Sequence, residues 1–314
     1  MMCRTRRGTK KSLFYKIAGL LIIMLCLPRL TLANKNTVSG TTEESDQRIN
    51  EFSLVGYGER GKKTWEISGK SADIFKDVVK LKQIVGNLYD EKENIKLTAD
   101  KGDFNKENGM VHLEQNVIIT TSAGARLTTD SLHWDRKNQL VSTEDKVNIQ
   151  REDMCLVAQG ASGRPDLNEV VLEKDVQVNI AGQEKDSGGS TETQEITITC
   201  DGPLQIDYQK NVATFNNNVK VDRQGMQIAS DIMEVYFITS AGGKEQPPQI
   251  QDTSMPLGGK IDKIVARGNV KITRGENVSY SEEATYSAWD KKIILSGRPK
   301  LVIYSKEEVG SGAQ

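Results

Sequence analysis

The sequence has 314 residues, with 42 basic and 43 acidic side chains, 37% hydrophobic residues and only 5% aromatic residues. Residues 1–33 contain seven of the basic side chains and no acidic one, so residues 34–314 hold 35 basic and 43 acidic side chains, a net charge of −8. This negative charge argues against a nucleic-acid-binding protein. The absence of a long apolar stretch after residue 33 argues against an integral membrane body.

Residues 1–33 have the three-part pattern of an export signal: a basic segment, an apolar stretch from Ile17 to Leu27, and Thr31-Leu32-Ala33. An apolar helix of that length spans roughly 16 Å, whereas a bilayer core is about 30 Å thick. We therefore predict a signal peptide that is cleaved, in preference to an uncleaved membrane anchor. Lipidation of Cys26 is disfavoured because large residues precede it.

Two cysteines, Cys155 and Cys200, lie beyond the leader. An exported protein can join them in a disulfide if their Cα atoms come within about 7 Å, which the sequence does not show. We predict two small buried thiols as the simpler alternative.

After a polar linker at 34–49, the chain consists of short segments in which apolar and polar residues alternate, the pattern of strands with one buried face. No segment beyond the leader has a helical period over twelve residues. The clearest strand segments are Val117–Ile119, Val147–Ile149, Val176–Ile180, Val219–Val221, Val270–Ile272 and Leu301–Ile303.

The strand segments recur at a nearly constant interval. A polar residue followed by valine begins five of these segments, with Arg298-Pro299 in the sixth place, at intervals of 30, 29, 43, 51 and 29 residues. The five steps are Asn116-Val117, Lys146-Val147, Asp175-Val176, Asn218-Val219 and Asn269-Val270. Two insertions account for the long intervals: a polar, flexible linker at 182–195, and residues 241–259, whose three prolines exclude a central strand.

An aromatic residue directly before a turn residue accompanies several of these repeats, at Phe104-Asn105, Trp134-Asp135, Tyr208-Gln209 and Trp289-Asp290. Repeats of this size bury their apolar face only by stacking on one another. The sequence therefore predicts an all-β protein of stacked antiparallel strands, arranged as a two-sheet sandwich or a solenoid. The edges of such a stack favour the addition of further strands.

Catalytic motifs are few and incomplete in this sequence. Gly56–Thr64 resembles a phosphate-binding loop, but Lys63 stands where that loop needs Ser or Thr and a strand follows in place of a helix, so we predict a hairpin loop. His112 and His133 are not at metal-ligand spacing from each other or from cysteine, and we expect His133 to be an ordinary strand residue. Gly160–Gly163 lacks the strand-to-helix setting of a nucleophile turn. We predict no enzyme, no cofactor and no metal site.

The chain resembles two members of the lipopolysaccharide-transport β-jellyroll (OstA-like) family joined head to tail. Residues 50–181 resemble LptC, on the opening strand Trp65–Ala72 and the units that begin Leu97-Thr98-Ala99-Asp100 and Leu127-Thr128-Thr129-Asp130. Residues 196–305 resemble LptA, on Gly259–Ile272 and Leu295–Pro299. The predicted organisation is thus a leader (1–33), a linker (34–49), a β-jellyroll (50–181), a linker (182–195), a second β-jellyroll (196–305) and a tail (306–314).

The resemblance implies a function in the periplasm, with a possible inner-membrane tether at the N-terminal segment. In this family the two sheets splay into a V-shaped trough that holds the acyl chains of lipopolysaccharide. The implied partners are the inner-membrane complex of LptB, LptF and LptG, and either LptD at the outer membrane or further LptA-like copies, each joined by addition of edge strands.

On that hypothesis the lipid-binding groove is lined by Val117, Ile119, Val147, Ile149, Val176, Val178, Val219, Val221, Val270 and Ile272. Branched aliphatic side chains suit a non-directional apolar surface, where affinity follows buried area. The alternative is an exported structural or adhesive β-solenoid in which the same residues form a solid core.

Overall fold

The computed structural model describes residues 45–303 of the chain, except 59–60, 90–93, 123, 136, 152–153, 165–166, 168, 186–190 and 240–258. These residues form seventeen β-strands and no α-helix, which confirms the all-β prediction. The predicted leader, most of the linker at 34–49, most of the proline-containing insertion and the tail at 306–314 lie outside the described residues.

The chain divides into two compact units. The first comprises the described residues of Met1–Glu152, together with Val157–Glu173 and Asp207–Gln209. The second comprises those of Asp153–Leu156, Lys174–Ile206 and Lys210–Gln314. The domain boundaries predicted from the sequence stay a prediction.

The first unit is a ladder in which each strand pairs antiparallel with the next. Its strands are β1 (Gln47–Tyr57), β2 (Lys63–Ile74), β3 (Val78–Leu88), β4 (Ile95–Asn105), β5 (Val111–Thr121), β6 (Arg126–Asp135) and β7 (Leu140–Arg151). Two further strands, β8 (Met154–Arg164) and β9 (Glu169–Lys185), contribute residues to both units.

The second unit contains β10 (Thr191–Cys200), β11 (Leu204–Asp207), β12 (Val212–Arg223), β13 (Met226–Thr239), β14 (Gly259–Arg274), β15 (Asn277–Ser287), β16 (Lys292–Ser296) and β17 (Lys300–Val302). Its first pairs are β9 with β10 and β10 with β12. From β12 to β15 each strand pairs antiparallel with the next in the chain, and β15 pairs with both β16 and β17.

Most strands are longer than the sequence pattern predicted, because each predicted segment is only part of a bent strand. Val117–Ile119, for example, is the second half of β5, and Val219–Val221 lies in the second half of β12. The register shifts between these halves at Glu114/Val117 and at Asn216/Val219, as in a β-bulge. The recurring polar-valine step thus marks the middle of a strand, whereas the sequence pattern had suggested the start of one.

The ends of the strands agree better with the sequence. Asn105 ends β4, and its side-chain oxygen accepts hydrogen bonds from the backbone N–H groups of Glu107 and Asn108 at 2.9 and 3.1 Å. Asp135 ends β6 and accepts from the backbone N–H of Asn138 at 3.1 Å. These side chains close the turns that follow Phe104 and Trp134.

The segment predicted as a flexible linker, 182–195, carries the paired ends of β9 and β10. The pairing continues outward from Val176 opposite Cys200 to Lys185 opposite Thr191, with residues 186–190 outside the described part. Ladder hydrogen bonds join backbone groups, so a polar sequence does not by itself prevent pairing once the inner part of the hairpin has set the register.

Candidate functional site

The inner faces of the two units contain the ten residues predicted to line a groove. Seven of them are buried, with side chains between 0% and 3% exposed: Val117, Ile119, Val147, Val176, Val178, Val219 and Val270. The other three, Ile149, Val221 and Ile272, are half-buried. The alternation predicted from the sequence therefore places these side chains on the inward side of their strands, mostly in contact with the protein's own interior.

A left-handed backbone conformation precedes each of several inner valines. In β5 the φ angles of Gln115 and Asn116 are +65° and +54°, and Val117 follows them. In β12 Asn217 and Asn218 have φ angles of +64° and +53°. Across the bend the buried positions lie four residues apart, Leu113 and Val117 in β5 and Phe215 and Val219 in β12, so the residues on both sides of the bend face the same interior.

Asparagine suits these positions for two reasons. It tolerates positive φ better than other non-glycine residues, and its side chain can hydrogen-bond nearby. Asn116 Nδ2 donates to Asp100 at 2.6 Å, and Asn269 Nδ2 donates to Asp231 at 2.9 Å. Asp100 is the last residue of the Leu97-Thr98-Ala99-Asp100 unit in β4. The aspartate of this motif therefore binds the bulge of the adjacent strand β5.

Within the first unit the inner residues form one apolar cluster, and it draws on both halves of the bent strands. Leu113 and Val117 lie before and after the bulge of β5 and both belong to the cluster, as do Leu81 and Ile84 on either side of Gln83 in β3. Trp134, fully buried, is its largest member. Its other buried members are aliphatic, and Phe52, Trp65 and Phe104 pack against it from partly buried positions. A mainly aliphatic surface of this type binds acyl chains without directional contacts.

The last strands of the second unit leave apolar side chains in solvent. Ile294 in β16 is 60% exposed, and Leu301 in β17 is also 60% exposed. Ile293, Ile303 and Trp289 nearby are exposed as well. An apolar strand edge of this kind is a surface on which a further strand can pair.

At the other end of the chain, β1 is exposed along much of its length and pairs with β2. Arg48 in β1 binds the buried carboxylate of Asp73 in β2, with its Nε 2.5 Å and its Nη2 3.3 Å from the two carboxylate oxygens. This contact and the neighbouring Lys82 hold the pKa of Asp73 below its usual range, with the Arg48 hydrogen bond as the main cause. The bidentate pair fastens the first strand to the ladder.

The segments that resemble catalytic motifs have structural roles. Gly56–Thr64 spans the end of β1 and the start of β2, and Gly58 N donates to Lys62 O at 2.9 Å, which confirms the hairpin loop. Gly160–Gly163 lies inside β8. Among the described residues, no group of three or more His, Cys, Asp or Glu side chains has the geometry to hold a metal ion.

The two cysteines are not joined in the structure. Cys200 is buried and Cys155 is half-buried, and no disulfide links them. Burial is the main cause that raises the pKa of the Cys200 thiol, so this group stays protonated and unreactive. The prediction of two thiols is confirmed, although only one of them is fully buried.

The histidines are the residues that the sequence pattern missed. His112 in β5 lies directly opposite His133 in β6, and their Nδ1 atoms are 3.0 Å apart. Burial, and secondly the neighbouring His112, lower the pKa of His133. Their separation of 21 positions in the sequence does not by itself indicate a contact. Only the register of the β5–β6 hairpin, counted back from its turn, could have predicted the contact.

Comparison with known families agrees with the order of the two halves. Residues 16–181 match the model of the family described as lipopolysaccharide-assembly, LptC-related. The chain belongs to the LptC-related family. Residues 198–314 match the LptA/(LptD N-terminal domain) LPS transport protein family. No curated protein matches the chain.

This LptC-related chain is therefore a lipopolysaccharide-transport β-jellyroll protein, with an LptC-like first half fused to an LptA-like second half. Both families consist of transport proteins of the cell envelope and not of enzymes. In the part of the chain that the structure describes, no helix has the length and apolar character needed to cross a membrane.

Proposed function

We propose that this LptC-related protein carries lipopolysaccharide across the periplasm by holding the acyl chains of lipid A against its inner valines and isoleucines. The observation that supports this proposal is the repetition of the inner face within each unit. Inward aliphatic side chains recur in the second half of alternate strands, at Val117 and Val147 in the first unit and at Val219 and Val270 in the second. A series of equivalent apolar positions suits a ligand that moves along the protein.

The size of the hydrophobic effect limits how tightly such a protein can hold its cargo. Burial of one methylene contributes about 0.8 kcal/mol, so one acyl chain of a dozen carbons contributes on the order of 10 kcal/mol. Several fully buried chains would exceed the practical limit for reversible binding, near −20 kcal/mol. A carrier must therefore cover the acyl chains only in part and offer similar affinity at successive positions.

Loading requires the two halves of the bent strands to separate, because Val117, Val147 and Val219 are fully buried by the protein itself. In this proposal the bulges act as the hinge, and the closed inner face keeps its apolar side chains from water when no lipid is bound. Opening exposes apolar surface, and the entering acyl chains cover it again.

Directional transport needs an energy source outside this chain, because the loop at Gly56–Thr64 is a hairpin and does not bind nucleotide in our interpretation. We assign that role to the inner-membrane complex of LptB, LptF and LptG. The exposed first strand β1 would join LptF, and the apolar edge at β16 and β17 would join LptD or another LptA-like copy. The N-terminal segment would either be removed or tether the protein to the inner membrane.

Binding of lipopolysaccharide by the purified full chain tests the proposal. We expect saturable binding that intact lipid A competes away and that the deacylated saccharide does not, because the acyl chains supply the affinity. The half-buried positions Ile149 and Ile272 offer variants that reach the inner face at its margin. Ile272→Gln should weaken binding several-fold, whereas the control Lys271→Gln, on the outward side of the same strand, should not.

The same measurement decides the alternative of a structural β-solenoid. That alternative is favoured by the complete burial of the inner valines, which is the property of a solid core. A solid core predicts no saturable binding of lipid A, or binding that the deacylated saccharide displaces equally well. Either result would exclude the carrier function.

A further inference from the structure

We propose that His112 and His133 form a binding site for a divalent transition-metal ion, with Cu²⁺ as the best fit. They are the two histidines of the whole chain, and the structure places them directly opposite each other on adjacent strands. The site lies on the outward side of β5 and β6 and is independent of the inner face, because both side chains alternate with buried neighbours.

The distance between the ring nitrogens supports this assignment. The two Nδ1 atoms are 3.0 Å apart, and the ring centroids are 4.2 Å apart. With metal–nitrogen bonds of about 2.05 Å, this separation corresponds to an N–metal–N angle of about 94°. Adjacent positions of a square-planar ion subtend about 90°, whereas a tetrahedral ion would need the nitrogens about 3.3 Å apart. The separation therefore lets both nitrogens bind one ion, and the general order of affinities favours Cu²⁺ over Zn²⁺.

The sheet holds the two imidazoles close before any ion arrives. The neighbours of His112 in β5 are Val111 and Leu113, each 1% exposed, and His133 lies between the buried Leu132 and Trp134. These side chains fix the positions of both Cα atoms in the ladder. Binding then requires mainly rotation of the two rings, so little conformational entropy is lost when the ion is chelated.

The charges around the pair favour a cation. His112 Nε2 lies 3.7 Å from a carboxylate oxygen of Glu114, and Asp103 lies opposite His112 on the other neighbouring strand. Glu144 and Asp145 in β7 lie close enough to His133 to interact with it electrostatically. Lys101 is the cation near Glu114, at 3.8 Å. Acidic groups thus outnumber basic ones here, and water or a carboxylate can complete the coordination.

The test is a titration of the full chain with Cu²⁺, followed by electron paramagnetic resonance, in the wild type and in His112→Gln, His133→Gln and the double variant. We expect one ion per chain with hyperfine coupling to two nitrogens. Each single variant should lose affinity at least about tenfold, because a two-nitrogen chelate becomes a single ligand.

The exposed Glu276 in the second unit provides a matched control, and Glu276→Gln should bind as the wild type does. Circular dichroism of each variant reports whether the strands remain intact. Two results would overturn the proposal: no stoichiometric binding by the wild type, or a double variant whose stoichiometry and two-nitrogen spectrum are unchanged. Neither result bears on lipid binding, so this site and the carrier function succeed or fail separately.

Discussion

At the scale of single residues, asparagines at the bulges hold the backbone in a conformation that most side chains avoid. Asn269 has a φ of +48° and donates a hydrogen bond to Asp231. Asn269→Ala should lower the free energy of unfolding by about 1–3 kcal/mol, because it adds left-handed strain and removes the hydrogen bond. Asn269→Gly should lower it by only about 1 kcal/mol, since glycine accepts positive φ.

Urea unfolding of the two variants measures this difference, with Lys271→Ala as a control on the exposed side of the same strand. Equal losses for the alanine and glycine variants would show that the backbone conformation at Asn269 contributes nothing to stability.

The ion pair between Arg48 and Asp73 predicts a dependence of stability on pH. Because the folded protein lowers the pKa of Asp73, the pair stabilises the fold above about pH 4 and loses this effect as the pH falls through the lowered pKa. Asp73→Asn and Arg48→Gln should both flatten the decline of the melting temperature in acid. If the melting temperature of both variants falls in acid as steeply as that of the wild type, other carboxylates cause the decline.

At the scale of elements, the bulge decides which face of a strand points inward. Deletion of Asn116 removes one residue from the bend of β5 and turns Val117 and Ile119 toward solvent. We expect the first unit to lose its cooperative unfolding transition in this variant. Asn116→Gly keeps the residue count and should retain the transition, and calorimetry distinguishes the two. A cooperative transition in the deletion variant would mean that β5 tolerates either register.

The sequence carried enough information to predict the strands, the hairpin at Gly56–Thr64, the turns after Phe104 and Trp134, and the burial of seven of the ten proposed groove residues. That these residues line a groove stays a prediction. The sequence did not reveal that the steps at Asn116, Asn218 and Asn269 are bulges, because a polar residue between apolar ones looks the same at a bulge and at a strand end. Nor did it reveal the His112–His133 contact, which depends on the register between two strands.

At the scale of the whole molecule, the exposed apolar edge at β16 and β17 predicts association between copies of the chain. Ile294 and Leu301, both largely exposed, would be covered by an added strand. We expect the mass measured by light scattering to rise with protein concentration in the wild type. In the double variant Ile294→Lys/Leu301→Lys it should stay at the value of the monomer. The control Leu167→Lys replaces an exposed leucine of the first unit and should associate normally. A wild type that is monomeric throughout would contradict end-to-end assembly through this edge.

The central claim, that lipopolysaccharide passes over the inner face, is tested most directly by photocrosslinking in cells. A photoreactive amino acid at Val147 or at Val270 should capture lipopolysaccharide, because both side chains point inward. The same group at the exposed neighbours Lys146 and Lys271 should not. Capture at the inner positions alone is the result that the carrier function predicts. No capture at either inner position, or equal capture at the inner and outer ones, would contradict it.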